Sequence, residues 1–165
     1  MRPAIAAAAA IPLVLATMLP AVALAACPGE VLLSCPIGRK HLELCLTPEA
    51  VLYSFGPKGN PELKLAVPVT EAAYQPWPGV GRTIWDSVQL FNGGITYEVW
   101  TSIDRDDPAA LWEGGINVLK GEALQAELTC AAGSVTNDLT AIFAAKEAAG
   151  QCWSFDNLRW QSACP

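Results

Sequence analysis

Residues 83–103 read TIWDSVQLFNGGITYEVWTSI, and this stretch predicts a β-hairpin. At its centre stands Asn92-Gly93-Gly94, whose residue types accept the positive φ angles of a tight turn. Apolar and polar side chains alternate on both sides of this turn, which is typical of half-buried strands. We therefore expect two strands, over 83–91 and 95–103, each with one apolar face. The expected inward set comprises Ile84, Val88, Leu90, Ile95, Tyr97, Val99 and Ile103.

The chain on both sides of this hairpin also carries strand patterns. Leu42, Leu44 and Leu46 alternate with polar residues, which predicts a strand that pairs across a turn with the preceding one. Near the end of the chain the spacing becomes helical, with Thr136 as the predicted cap and Gly150 as the predicted stop. The predicted elements are strands over 30–35, 40–46, 51–55, 62–67, 115–120 and 123–130, a loop over 68–82, a helix over 137–149 and a short tail over 151–165.

These elements predict a mainly β fold. Strands joined as hairpins favour an antiparallel β-sandwich or a small barrel, here with one C-terminal helix and disulfide staples. Residues 27–165 are expected to form a single domain, in which 131–165 are a C-terminal extension with the helix and the last two cysteines.

Residues 1–26 predict a secretory signal peptide, because a cationic start and an apolar run are followed by small residues that signal peptidases accept. A membrane anchor is the alternative, but Pro12 and Pro20 interrupt the apolar run. No later segment approaches the roughly 20 apolar residues that span a bilayer, so no transmembrane helix is expected. We therefore expect a periplasmic or extracellular protein.

Residues 24–27, Leu-Ala-Ala-Cys, resemble the bacterial lipobox, in which the cysteine is lipidated after cleavage. The other interpretation is ordinary cleavage, which keeps Cys27 for a disulfide. Lipidation would leave an odd number of cysteines, whereas oxidised secreted proteins favour an even one. We favour ordinary cleavage, with a lipid anchor at Cys27 as the alternative.

The chain has six cysteines, and an even number in an exported protein predicts three disulfides. None of them stands at CxxC spacing, so neither a zinc site nor a thioredoxin-like motif is predicted. Six cysteines can pair in many ways, and their spacing does not choose among them. The predicted disulfide residues are Cys27, Cys35, Cys45, Cys130, Cys152 and Cys164.

The chain carries a formal net charge of −6, from 16 acidic and 10 basic residues. This balance disfavours binding to nucleic acid and to anionic lipid surfaces. It favours a cationic protein as partner, although solubility is the simpler interpretation of the charge.

The sequence contains few signs of catalysis. His41 is the only histidine, and its position beside a turn is typical of a surface residue. Asp104, Asp106 and Asp107 could offer oxygen ligands to calcium, but they lack the pattern of an EF-hand, so a solvated turn is favoured. A glycosidase would need a pair of carboxylates in a cleft, and no pair stands out. We expect no catalytic residue, no metal and no cofactor.

The six tryptophans are the best lead to a binding surface. Trp85 and Trp100 point away from the inward set of the 83–103 hairpin, and Trp77 and Trp112 lie in adjoining loops. Exposed tryptophans are typical of contact surfaces and of sugar stacking. These four residues are therefore the predicted ligand-binding residues. The other interpretation, which we favour because the C-terminal extension must pack somewhere, is that the late helix or the tail covers this face.

Several short motifs occur together in this chain. They are Cys27-x7-Cys35 with Lys40 and Cys45, Tyr53-Ser54-Phe55-Gly56, Arg82-Thr83, and Phe91-Asn92-Gly93-Gly94 with Tyr97 and Val99. Over residues 27–130 this pattern resembles a loosely defined group of small, uncharacterised, secreted cysteine-containing bacterial proteins. The resemblance implies an exported β-rich domain and no particular activity, and the chain departs from it after Cys130.

These observations predict an exported, non-enzymatic binding module. Its partner would be a cationic protein, such as an envelope-active enzyme, or a glycan. One alternative is an envelope glycan hydrolase that uses a carboxylate pair. The other is a structural envelope protein anchored by lipid at Cys27.

Overall fold

The computed structural model describes residues 27–164, so the predicted signal peptide lies outside the described residues. Residues 27–164 form strands, one helix and a short terminal hairpin. The elements are β1 Glu30–Ile37, β2 Lys40–Leu46, β3 Ala50–Gly56, β4 Leu63–Pro68, β5 Ala73–Gln75, β6 Thr83–Asn92, β7 Ile95–Asp104, β8 Glu113–Lys120, β9 Ala123–Thr129, β10 Thr136–Asn137, α1 Ala141–Ala148, β11 Cys152–Ser154 and β12 Arg159–Gln161.

Two five-stranded antiparallel sheets make up most of the structure. Sheet 1 has the order β10-β1-β2-β3-β4, and sheet 2 has the order β5-β6-β7-β8-β9. Neither sheet closes on itself, so the predicted mainly β fold is confirmed in its sandwich form rather than as a barrel. No helix within residues 27–164 is long and apolar enough to cross a bilayer.

Alternation along the strands explains which side chains face the core. Leu44 pairs with Leu33 on one side and with Tyr53 on the other, so the inner face of sheet 1 is apolar across three strands. In sheet 2, Val99 pairs with Val88 and with Ile116 in the same way. The two inner faces form one core with residues of α1. Burial of apolar surface between the sheets is the main stabilising contribution.

The turn between β6 and β7 has the geometry that its glycines predict. Asn92 pairs with Ile95, which leaves Gly93 and Gly94 as the two central residues. Their φ angles are 57° and 79°, the left-handed region in which a side chain costs energy. The predicted hairpin is confirmed.

The predicted helix is shorter than expected, and Thr136 is not its cap. Thr136 and Asn137 pair with Ser34 and Leu33 as β10, at the edge of sheet 1. The helix begins four residues later, at Ala141, with no side-chain cap on its first turn. Pairing with β1 gives the backbone groups of Thr136 and Asn137 hydrogen-bond partners in sheet 1. Because these residues are paired as a strand, they do not join the helix. Gly150 follows the helix at φ 84°, as its predicted stop requires.

Two further elements were not predicted. Residues 68–82 contain β5, which pairs with β6 as the edge of sheet 2. The tail contains the β11–β12 hairpin, closed by a disulfide between Cys152 and Cys164. The three strands β5, β11 and β12 are each three residues long, too short for an alternating pattern to show in the sequence.

The six cysteines form three disulfides, as predicted, and the structure supplies their pairing. Cys27, which precedes β1, bonds to Cys45 of β2, and Cys152 bonds to Cys164 within the tail. Cys35 of β1 bonds to Cys130, which follows β9, so this disulfide ties the two sheets together across 95 residues. The bond to Cys45 also occupies the sulfur of Cys27 that lipidation would use.

Candidate functional site

Trp85 and Trp100 lie on the outer face of sheet 2. In the register Trp85 stands opposite Ser102 and Trp100 stands opposite Ser87, while Val88 and Val99 occupy the inner face. Both indoles are half-buried, and the Nε1 atom of Trp100 is buried without a hydrogen-bond partner. They are diagonal neighbours on a rigid pair of strands, which holds them in place relative to each other.

Next to these tryptophans runs a polar row across three strands. Glu98 of β7 accepts a hydrogen bond from Gln89 Nε2 at 3.1 Å and another from Asn117 Nδ2 at 3.0 Å. The register continues this row to Glu127 on β9. Two amide donors therefore hold the Glu98 carboxylate in one position on the surface.

An apolar row lies at the other end of the same face. Phe91 pairs with Thr96, Thr96 with Leu119, and Leu119 with Leu124. Phe91 and Leu124 are 58% and 55% exposed, which is unusual for large apolar side chains that stand in one row.

We call this outer side of sheet 2 the acidic tryptophan face, defined by Trp85, Trp100, Glu98, Glu113 and Glu127, with Phe91 and Leu124 at its apolar end. The strand positions that point to this side include no lysine or arginine. Glu113 and Glu127 are exposed and form no ion pair among residues 27–164. The face therefore combines aromatic surface with unneutralised negative charge.

The other two predicted tryptophans do not join this face as free side chains. Trp77 donates from Nε1 to the carbonyl of Val80 at 2.9 Å, and the guanidinium of Arg105 lies 5.4 Å from its ring centroid. Trp112 is half-buried one residue before β8, and it takes no part in the strand pairing that places Trp85 beside Trp100. The structure thus brings together two of the four predicted residues.

The contacts of the tail lie at the β5 edge of sheet 2. Trp160 donates from Nε1 to the carbonyl of Tyr74 at 2.7 Å, and its ring packs edge-on against Phe143 at 4.9 Å. Trp153 packs against Trp160 at 5.5 Å. These aromatic contacts connect the tail to β5 and α1, and none of them is with Trp85 or Trp100. Trp153 and Trp160 therefore serve to pack the tail against the rest of the domain.

The Asp104–Asp107 loop is organised by ion pairs and turn hydrogen bonds. Arg82 Nε donates to both carboxylate oxygens of Asp104 at 2.8 Å, which holds the pKa of Asp104 below its usual range. Asp107 accepts a hydrogen bond from the backbone N–H of Ala109 at 2.9 Å. Among residues 27–164 no cluster of three or more side chains with metal-ligand chemistry occurs. The ion pair and the backbone hydrogen bonds to Asp104 and Asp107 hold this loop as a turn.

Sequence reasoning missed a groove on the outer face of sheet 1. It has a volume of about 550 Å³, within the range of small-molecule sites. Its floor is formed by outward-facing residues of β2, β3 and β4, and its ends by residues 27–28 and the loop over 57–61. We call it the sheet 1 groove. The side chains that line it include His41, Glu43, Leu52, Lys58, Lys64 and Ala66.

His41 stands in this groove and not on an open surface. Its Nε2 atom lies 2.9 Å from Ser34 Oγ, a hydrogen bond between neighbouring strands. The hydrogen bonds among residues 27–164 include no carboxylate partner for its other ring nitrogen, so a Ser-His-acid triad is not assembled here. The Ser34 bond holds the imidazole in place at the β2 side of the groove. Alternation alone shows that His41 and Glu43 share a face, but the walls of the groove come from distant loops.

The two cavities described among residues 27–164 hold one carboxylate each. Glu43 lines the sheet 1 groove, and Glu30 lines a second cavity of about 490 Å³ beside the end of α1. The paired carboxylates of a glycosidase, about 5–10 Å apart, need two such groups in one cleft. Neither cavity provides the pair.

Comparison with models of protein families, with curated proteins and with solved structures finds no match for this chain.

Proposed function

We propose that this protein is an exported, non-enzymatic binding module that holds a basic protein partner, such as an envelope-active enzyme, on its acidic tryptophan face. The observation that carries the proposal is the position of Trp85 and Trp100 beside Glu98, Glu113 and Glu127 on one rigid sheet, with no basic side chain among its outward strand positions. Tryptophans supply apolar contact area, and the carboxylates select the charge of the partner.

The size of the face suits a protein partner. Strands β6–β9 lie about 4.8 Å apart and rise about 3.3 Å per residue, so they offer about 600 Å². A standard interface buries about 800 Å² on each partner, so this sheet with its bordering loops is large enough. Most of the aromatic and acidic side chains of the face stand on strands. Because the strand backbone is already ordered, less conformational entropy is lost when a partner binds.

The charge of the face argues against a second copy of this chain. Two such faces would oppose like charges, which is destabilising unless each carboxylate finds a partner. The overall charge of −6 also repels a second copy of the chain as it approaches. A basic protein would instead be attracted, and its association would slow as salt is added.

Support for export comes from the three disulfides, which form and persist in oxidising compartments. The absence of an anchor is supported by the Cys27–Cys45 bond, since a lipidated Cys27 could not form it. The mass of the intact exported chain tests both points. We expect cleavage before Cys27 and six oxidised cysteines, whereas an added diacylglycerol and acyl group would contradict this.

The partner is tested with the mature chain immobilised and two probes, a basic lysozyme and the basic protein fraction of an envelope extract. We compare Glu113→Lys/Glu127→Lys, on the face, with Glu49→Lys/Glu147→Lys, exposed acids elsewhere that change the net charge equally. The first variant should weaken binding of the retained protein by about tenfold or more, because it reverses two contact charges. The second should leave binding nearly unchanged.

Three results would contradict the proposal. One is that no basic protein is retained from either probe. Another is that both charge-reversal variants lose binding equally, which would indicate net charge rather than a face. The third is turnover of a glycan substrate by the purified chain, which would favour the hydrolase alternative.

A further inference from the structure

We infer that the sheet 1 groove binds an amphiphilic organic anion, a free carboxylate with an unbranched apolar tail. The groove lies on the outer side of sheet 1, and the acidic tryptophan face lies on the outer side of sheet 2. The two sites therefore occupy opposite sides of the sandwich, and this inference is independent of the proposed protein partner.

The floor of the groove changes from apolar to charged along the strands. The register places Cys45, Leu52 and Ala66 side by side across β2, β3 and β4, next to the Cys27–Cys45 bond. The next row in the same direction is Glu43, Ser54 and Lys64, and the third contains His41 and Gly56. Rows on one face of a strand are about 7 Å apart, so the gradient extends over about 14 Å. A ligand with an apolar end and a polar end matches this order.

The charged end of the groove is positive, in a chain that is acidic as a whole. Lys64 stands on its floor and Lys58 on its rim, and neither forms an ion pair among residues 27–164. Glu62, at the edge of the same loop, is engaged by Lys40. Among the described residues Glu43 is the one carboxylate in the lining, against two lysines. This charge favours an anionic head group over a cationic one.

The walls of the groove are rigid before any ligand binds. Gly56 has φ 146°, and a Cβ atom there would stand 2.3 Å from the backbone nitrogen of Glu62. The loop over 57–61 can therefore fold back against the strand end only because residue 56 is glycine. Pro57 and Pro61 stiffen this loop, and the Cys27–Cys45 bond holds the opposite end. A pre-formed site loses less entropy on binding.

The inference is tested by calorimetric titration of the mature chain with decanoate, with decyltrimethylammonium as the cationic control and acetate as the tail-free control. We expect saturable binding of decanoate at one site, with both controls weaker by about tenfold or more, because one lacks the negative charge and the other the apolar tail. Lys58→Met/Lys64→Met should weaken decanoate binding by about tenfold. Lys120→Met, an exposed lysine at the end of sheet 2, should leave it unchanged.

Several outcomes would overturn the inference. Equal binding of decanoate and decyltrimethylammonium would show that charge is not recognised. Equal binding of acetate and decanoate would show that the apolar rows are not used. Unchanged binding by Lys58→Met/Lys64→Met, with its fold confirmed by circular dichroism, would place the ligand elsewhere. Association with phosphatidylglycerol vesicles in place of free decanoate would identify a membrane surface as the occupant.

Discussion

Lys146 is the residue whose environment departs most from the ordinary. It is 1% exposed, and its ammonium donates to the carbonyls of Val69 at 2.8 Å and Ala72 at 2.7 Å, with the Trp160 ring centroid 5.2 Å away. No carboxylate is among its hydrogen-bond partners in the described chain. Burial without a counter-charge disfavours the ammonium and lowers the pKa of Lys146 to about 8.

This pKa predicts that the protein becomes more stable in mildly alkaline solution. Between about pH 8 and the usual lysine pKa of 10.5, the folded chain has released a proton that the unfolded chain still binds, so the free energy of unfolding rises with pH. We expect a gain of about 2 kcal/mol between pH 7 and pH 9.5 in urea titrations. Above about pH 10 the gain should reverse, because burial raises the pKa values of Tyr53 and Tyr74.

The control for this prediction is Lys146→Met, which removes the titrating group. The alkaline gain should disappear in this variant, whatever its stability at pH 7. Lys120→Met should keep the gain. If the wild-type chain shows a flat or falling free energy of unfolding over pH 7–9.5, Lys146 is not desolvated as described.

At the scale of elements, the β6–β7 hairpin depends on its two-glycine turn. Gly93 and Gly94 both have positive φ, and a Cβ atom at either would meet nothing within 4 Å. A substitution there is thus penalised by backbone conformation alone and not by a clash. Asparagine tolerates the left-handed region, whereas a β-branched residue does not.

We therefore expect Gly94→Val to lower the free energy of unfolding by about 1–2 kcal/mol. Gly94→Asn, the matched control, should cost only a few tenths. Both are measured by chemical denaturation followed by tryptophan fluorescence. Equal losses in the two variants would show that the turn does not have the conformation described.

At the scale of the whole molecule, the Cys35–Cys130 disulfide joins the two sheets. Its Cα atoms are 5.7 Å apart, and both cysteines belong to the core. Because it closes the longest loop, 95 residues, it restricts the unfolded chain more than the Cys27–Cys45 bond, which closes 18. The order of their contributions to stability follows from these lengths.

Removing Cys35–Cys130 as a double alanine variant should cost about 4–5 kcal/mol, and removing Cys27–Cys45 about 3 kcal/mol. Free energies of unfolding from urea titrations of both variants test this order. The reverse order would mean that native packing around the bonds, and not loop length, governs their effect. In the Cys27–Cys45 variant we also expect weaker decanoate binding, since that bond borders the sheet 1 groove.

How far the sequence predicts this structure differs between elements. Strand β2 was predicted with its observed bounds, since Leu42, Leu44 and Leu46 show the alternation over its whole length. The start of the helix was misplaced because Thr136 and Asn137 are drawn into sheet 1 by β1, more than 100 residues away. His41 was interpreted as a surface residue because nothing near it in sequence indicates the walls of the groove.

The sequence by itself determined the local features: the positions of the long strands, where Asn92-Gly93-Gly94 turns, that six cysteines form three disulfides, and that Trp85 and Trp100 face away from the core. Alternation and turn chemistry act between residues a few positions apart, so the sequence displays them directly. The pairing of Cys35 with Cys130, the burial of Lys146 and the sheet 1 groove were decided only by the tertiary structure. The disulfide and the Lys146 contacts join segments far apart in the chain, and the groove needs β2, β3 and β4 to pair before residues 27–28 and the loop over 57–61 can close its ends, so neighbouring residues alone reveal none of the three.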